Sequence, residues 1–300
     1  MQYLRTILLG TLLCGCSGCG PSAPSTVPAF DPETAMALTT AAAAQMPRHS
    51  GTPGAAQQAE FIAAKAREFG ARATVETFED ITPEGKITFR NVVVKIDGKS
   101  DRYLIVGCHY DAKKLLTVPS FPAANDGASG VGVLLAMIKS IAASPQKPYY
   151  SLRFVFFDGE ECLYQYGEND GLHGSRHYAD KIKMTDEIKR CRAMILLDMV
   201  GDRDLLITPP ADSDPYLAEL CRQSAEATGH GKKLLLSGQG MLDDHVPFQK
   251  AGIPVINLID FNYGANNAFW HTAEDSMDKI SAESLKATGE IVMRMVYHIK

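Results

Sequence analysis

The chain alternates between apolar runs of strand length and segments whose apolar residues recur at helical spacing. Residues 31–45 start at Asp31-Pro32 and read as an Ala- and Met-rich helix. Residues 47–54 break it, and residues 57–69 keep helical spacing up to Gly70, a suitable C-terminal cap. Residues 73–78 and 89–96 read as strands around a turn at Pro83-Glu84-Gly85. The runs at 103–108, 152–157, 193–197 and 253–259 are apolar nearly throughout, the mark of strands covered on both faces. Helices are predicted at 128–143, 172–182, 216–228, 244–251 and 281–299, a short strand at 234–236, and loops at 113–124 and 261–269. Strands alternating with helices predict an α/β fold of three layers, with a mixed, mostly parallel central sheet flanked by helices.

Composition narrows the class. Three hundred residues with 45% apolar content supply one sizeable core. The net charge of −5 and dispersed Lys and Arg give no basic stripe, so nucleic acid is not an expected partner. The start differs from the rest. Arg5 precedes an apolar run at 7–13, too short to span a bilayer and suited to a secretory leader. Leu13-Cys14-Gly15-Cys16 resembles a bacterial lipobox. Residues 1–16 are therefore expected to be a lipoprotein-type signal with Cys16 lipidated, 17–30 a flexible tether, and 31–300 a single catalytic domain. The expected location is outside the cytoplasm, lipid-anchored at the bacterial cell envelope. Cys108, Cys162, Cys191 and Cys221 are scattered, three of them in or beside apolar runs, and predict no disulfide framework.

The chemistry stands where the core strands end. His109 and Asp111 follow one strand, Glu160 and Glu161 another, and Asp198 a third. Asp126 opens the helix at 128, and His271 follows the last strand. In open α/β sheets ligands gather outside the carboxyl ends of the strands, so topology brings these groups together. One pair of carboxylates about 4 Å apart repels by roughly 4 kcal/mol at an effective dielectric near 20. Several such pairs rival the whole stability of a domain, about 5–15 kcal/mol. Divalent cations relieve that repulsion, and two imidazoles among the acids favour zinc over magnesium or calcium. The residues divide into His109, Asp126 and Asp198 for one zinc and Asp126, Glu161 and His271 for another, with Asp126 shared. Glu160 is left as a general base, and Asp111 is placed to orient His109. Singly, each has an ordinary reading: Asp126 as a helix cap, Glu160-Glu161 as a solvated turn. Asp243 and Asp244, beside His245, could line the crevice, whereas His173, His177, His230 and His298 read as surface or helix residues.

Together the motifs resemble a known group. CHYDAK, NDGASG, FFDGEE, LLDMVGD, DDHVPF and FWHT, in that order, are similar to those of the zinc aminopeptidases and the related zinc glutaminyl cyclases. The insertion at 162–170 and the Asp243-Asp244-His245 turn look like the cyclases, in particular the bacterial ones. NDGASG looks like the aminopeptidase form. Tyr166 stands where animal cyclases carry a pocket Trp, and Val131 where they carry the disulfide partner of Cys108. The resemblance implies one or two zinc ions and a peptide or protein N-terminus as substrate. It also implies Glu160, Asp198 and Asp243 as catalytic groups and Tyr166, Asp244 and Trp270 as pocket residues. Cyclisation of an N-terminal glutamine is the leading expectation, hydrolysis by an aminopeptidase the alternative, and an inactive binding domain a third.

Overall fold

The computed structural model describes residues 27–300 except Ser237. The expected signal, most of the tether and Cys16 lie outside the described residues. Phe30, the last residue of the expected tether, is buried against Gly289.

Helix α1 (Pro32–Ala43) is capped by the Asp31 carboxylate, and α2 (Pro53–Glu68) by the Thr52 hydroxyl. The second helix thus starts four residues before its predicted position, because Pro53 stands at N1 rather than breaking the chain. The hairpin β1 (Arg72–Thr82) and β2 (Gly85–Ile96) is longer than its apolar cores suggest. Its outer residues pair in register around Pro83-Glu84. Next come β3 (Ser100–His109), α3 (Ala128–Ala143), β4 (Tyr150–Phe157), α4 (His173–Met184) and β5 (Cys191–Asp198). The chain closes with α5 (Pro215–Ala227), α6 (Val246–Lys250), β6 (Val255–Ile259) and α7 (Ala282–His298). The strand expected at 234–236 is only a single bridge, from Leu234 to Ile207.

The sheet order is β1-β2-β4-β3-β5-β6. The β4-β3-β5-β6 part is parallel, and β2 and β1 add antiparallel to its edge. Alternate strand residues serve opposite faces. Val94, Val106, Phe156 and Leu197 join the core under α1, α2, α3, α5 and α7, while Val93, Ile105, Val155 and Leu196 pack with Tyr178 and Ile182 of α4 and Phe248 of α6. Those are the three layers, and the parallel strands therefore all release their chain at one edge. Cys108, Cys162, Cys191 and Cys221 are free.

Close packing of α3 on α1 depends on Gly132. A Cβ there would stand 1.9 Å from Thr39 Oγ1 and 2.6 Å from the Ala35 carbonyl oxygen. Gly132→Ala is expected to cost about 1–3 kcal/mol through overpacking, more than the roughly 1 kcal/mol that alanine usually gains in a helix. Thermal unfolding checks this, and a melting temperature equal to or above that of the parent contradicts it.

Candidate active site

Parallel pairing carries His109, the last residue of β3, and Asp198, the last of β5, to the same edge. After β4 the chain turns at Gly159 (φ +76°) and presents Glu160 and Glu161. Their backbone amides each donate to Asp111, at 3.2 Å, which fixes the carboxylate pair against the end of β3. Asp126 precedes α3 but does not cap it. Gly127 is the N-cap, at φ +103°, and the cap makes no side-chain hydrogen bond. Only glycine fits there, because a Cβ would stand 2.7 Å from the Asp111 carbonyl oxygen and 3.3 Å from the His109 ring. The Asp126 carboxylate is thereby free to sit between two histidines.

The geometry joins two triads through that carboxylate. His109 Nε2 lies 3.1 Å from Asp126 Oδ1 and 3.2 Å from Asp198 Oδ1. His271 Nε2 lies 3.2 Å from Asp126 Oδ2 and 2.9 Å from Glu161 Oε1. Within each triad the potential ligand atoms are within 4.8 Å of one another. Each Nε2 carries at most one hydrogen yet faces two carboxylate oxygens. A cation between the three groups satisfies all of them, so the residues present fit a metal. Burial alone would depress both histidines, and the surrounding carboxylates outweigh it, lifting His109 well above its usual range and His271 to about 10. Burial would likewise raise Asp126, but hydrogen bonds from both imidazoles hold it well below the usual carboxylate range.

Glu160 belongs to neither triad. It is buried, and burial together with Glu161 raises its pKa well above the usual value. Its Oε1 accepts a 2.9 Å hydrogen bond from the Tyr166 hydroxyl. Asp198 is pushed up to about 7 by burial and by Asp243. Asp243 Oδ2 accepts from Asn257 Nδ2 at 2.6 Å. Trp270 is half-buried, stacked on His271 and edge-on to Phe261.

Asp244 is wholly buried, and burial together with Asp243 raises its pKa well above the usual carboxylate value. His245 is buried too, with both nitrogens unpartnered. Asp111 stands 3.6 Å from His109 Nδ1, beyond a hydrogen bond, and its main partners are the two glutamate amides. His173 is a helix residue, at the start of α4, where it is buried, stacked on Phe89, and 2.7 Å from Asp80.

Other contributors went unread. Asp275 accepts from the amides of Asn125 and Asp126 at 2.7 and 3.2 Å and from the Tyr263 hydroxyl at 2.9 Å. Its only sequence signal is its place four residues after His271. Lys113 Nζ lies 3.4 Å from Glu161 Oε2. Arg48, fully buried, donates to the carbonyls of Tyr110, Pro122 and Ala123, binding the end of β3 to the loop before Asp126.

A three-layer sheet with two histidine–carboxylate triads and a free buried glutamate at its carboxyl edge defines a metal-dependent α/β enzyme. The chain belongs to Peptidase family M28, whose model matches residues 91–296. The glutaminyl-peptide cyclotransferase-like protein of Bos taurus is 30% identical over 261 residues, 76% of this chain and 66% of that one. The glutaminyl-peptide cyclotransferase of Boiga irregularis is 27% identical, covering 83% and 76%. Among solved structures, an Acidobacteriales bacterium glutaminyl cyclase superposes with a TM-score of 0.85 at 34% identity, over 94% of this chain and 98% of that one. A leucine aminopeptidase precursor from Bacteroides thetaiotaomicron gives 0.81 at 25%, over 91% and 99%. The resemblance read from the motifs is borne out.

Asp275 generates the test of this geometry. Asp275→Ala leaves the amides ahead of α3 without their acceptor, and metal retention is expected to fall about 10–100-fold. Competition with a chelating dye measures it, and equal retention by variant and parent removes Asp275 from the account.

Proposed function

We propose that the protein is a zinc-dependent glutaminyl-peptide cyclotransferase, closing an N-terminal glutamine into pyroglutamate with release of ammonia. The observation that carries this reading is the seating of Glu160: buried, outside both triads, and hydrogen-bonded by Tyr166 from the 162–170 insertion. The mixed imidazole and carboxylate donors suit zinc better than magnesium or calcium. His109, Asp126 and Asp198 would hold one ion, and Asp126, Glu161 and His271 another, so the site takes one or two. Zinc, when bound, supplies Lewis acidity towards a carbonyl oxygen.

The chain's own groups do the remainder. Glu160 takes a proton from the substrate α-amine as that nitrogen bonds to the γ-carbon, and passes it to the departing ammonia. No water is consumed and the carboxylate is regenerated. Its pKa, raised by burial and by Glu161, suits a group that both accepts and returns a proton. Asp198 and Asp243 steady the intermediate, and Tyr166 and Trp270 wall the pocket. Attack is intramolecular, so orientation supplies much of the acceleration.

The alternative is an aminopeptidase, favoured by the Asp126 carboxylate shared between two triads. Glu160 then serves water instead of an amine. A purely binding role is the weakest reading, because neither base nor ligand set is missing. The proposal extends to location. Residues 1–16, read as a lipoprotein signal with Cys16 lipidated, place the enzyme at the bacterial cell envelope, where exported peptide and protein N-termini are the substrates.

Zinc-loaded protein is expected to release ammonia from Gln-initiated peptides and no free amino acid from Leu-initiated ones. The reverse pattern overturns the cyclase reading for the peptidase. Chelation is expected to abolish turnover and zinc to restore it. Glu160→Gln is expected to lower kcat about 10²–10⁴-fold with zinc content unchanged. A variant as active as the parent would show that the base lies elsewhere.

A further inference from the structure

A groove of about 380 Å³ lies between α4 and α6, walled by the inserted loop. Tyr166, whose hydroxyl holds Glu160, and Leu242, next to Asp243, line one part of it. Arg176, Asp180 and Lys183 also line it, spaced four and three residues apart and so on one face of α4. Lys250, at the end of α6, lines it as well. Leu172 to Lys183 rises about 16 Å along the helix, the reach of about five extended residues.

Three cations and two acids line it. Lys183 and Lys250 are exposed, and their side chains have no ion pair or hydrogen bond among the described residues. Arg176 is held by the carbonyls of Gly167 and Glu168 at 2.8 and 2.6 Å, and its charge also acts on Asp80, so the two lysines are the unpaired cations. Asp180 is the one unpaired acid in the lining. The other, Asp170, accepts from the amides of Leu163, Tyr164 and Gln165, which locks the inserted loop as the groove wall.

We propose that this groove receives the substrate residues that follow the N-terminus and favours acidic side chains there, from about the third to the seventh position. The inference rests on the reading that the site acts on peptide N-termini. A chain entering with its first residue at Glu160 passes Tyr166 and has the groove beside it. The two lysines, four side-chain bonds long, then meet carboxylates without displacing any partner of their own.

The test uses fluorescent peptides that begin Gln-Phe and carry Asp, Ser or Lys at positions four to six. Anisotropy gives binding to the zinc-loaded protein, and ammonia release gives kcat/KM. The acidic peptide is expected to bind and turn over about three- to tenfold better than the neutral one, with the basic one weaker still. About half-molar salt should erase the differences. K183E/K250E should reverse the order in binding, with its melting temperature unchanged. Equal binding of the three peptides, or an order that the charge reversal leaves intact, overturns the proposal. Gln-Phe amide, too short to enter the groove, separates the two claims. If it is not cyclised, the cyclase reading fails, and the anisotropy series alone then decides for or against the groove.

Discussion

Crowded negative charge at one edge of the sheet is the constraint on which the rest of the structure depends. Asp126, Glu160, Glu161, Asp198 and Asp243 are gathered where four parallel strands end, and two imidazoles, Lys113 and the buried Arg48 stand against them. Burial and mutual repulsion raise Glu160, Glu161 and Asp198 together. Such a cluster is unstable as bare anions in low dielectric. Histidine protons relieve part of the repulsion, at the expense of the nitrogens a metal needs. A divalent ion relieves more and releases those protons, so metal binding and the folding of this edge are linked.

The same chain uses a second set of buried acids for a different purpose. Asp111 accepts from the amides of Glu160 and Glu161, and Asp275 from those of Asn125 and Asp126. Asp158 accepts from the Arg90 amide and the Ser50 hydroxyl, and Asp170 from three amides in the inserted loop. Loop amides have no sheet or helix partner, and a buried carboxylate satisfies two or three at once. The ligand-bearing turns therefore owe their shape to acids that touch no substrate. Asp275 illustrates the cost: burial and Asp126 push it up to about 6, so its hold on the Asp126 turn is complete only above that pH.

What could be read in the sequence follows this division. The parallel strands were legible because a strand covered on both faces has no choice but to be apolar, and each then ends on a conspicuous polar residue. That placed His109, Glu161 and Asp198, and with them the cleft. The edge hairpin was read short because half of β1 and β2 faces solvent, where polar residues carry no strand signal. Asp275, Arg48 and Lys113 were missed for a related reason. Each acts through backbone or a neighbour's charge at a distance that only the fold creates, and a lone Asp, Arg or Lys has no spacing to betray it. Asn257, inside the apolar run of β6, did carry a signal, and it too went unread. A polar side chain in a buried strand needs a partner, and here it is Asp243.

Backbone strain marks the same boundary between scaffold and site. Non-glycine residues with positive φ include Ala123 (+45°), Leu172 (+55°), Met199 (+50°) and His271 (+54°). Met199 directly follows Asp198, Ala123 precedes the Asp126 turn, Leu172 closes the inserted loop, and His271 is itself in a triad. Such conformations cost about 1–3 kcal/mol each and persist only where the surroundings fix them. The fixing groups are identifiable: Arg48 grips the Ala123 carbonyl, and Leu172 donates its amide to the Glu160 carbonyl. That amide ties the start of α4 to the proposed base, while Tyr166, six residues before Leu172, reaches the base's carboxylate. The insertion is thus fastened to Glu160 at its main chain and at its side chain. A loop that can be lengthened without touching the triads is where a family with one metal site can change what it accepts, and here that loop shapes both the base and the groove wall.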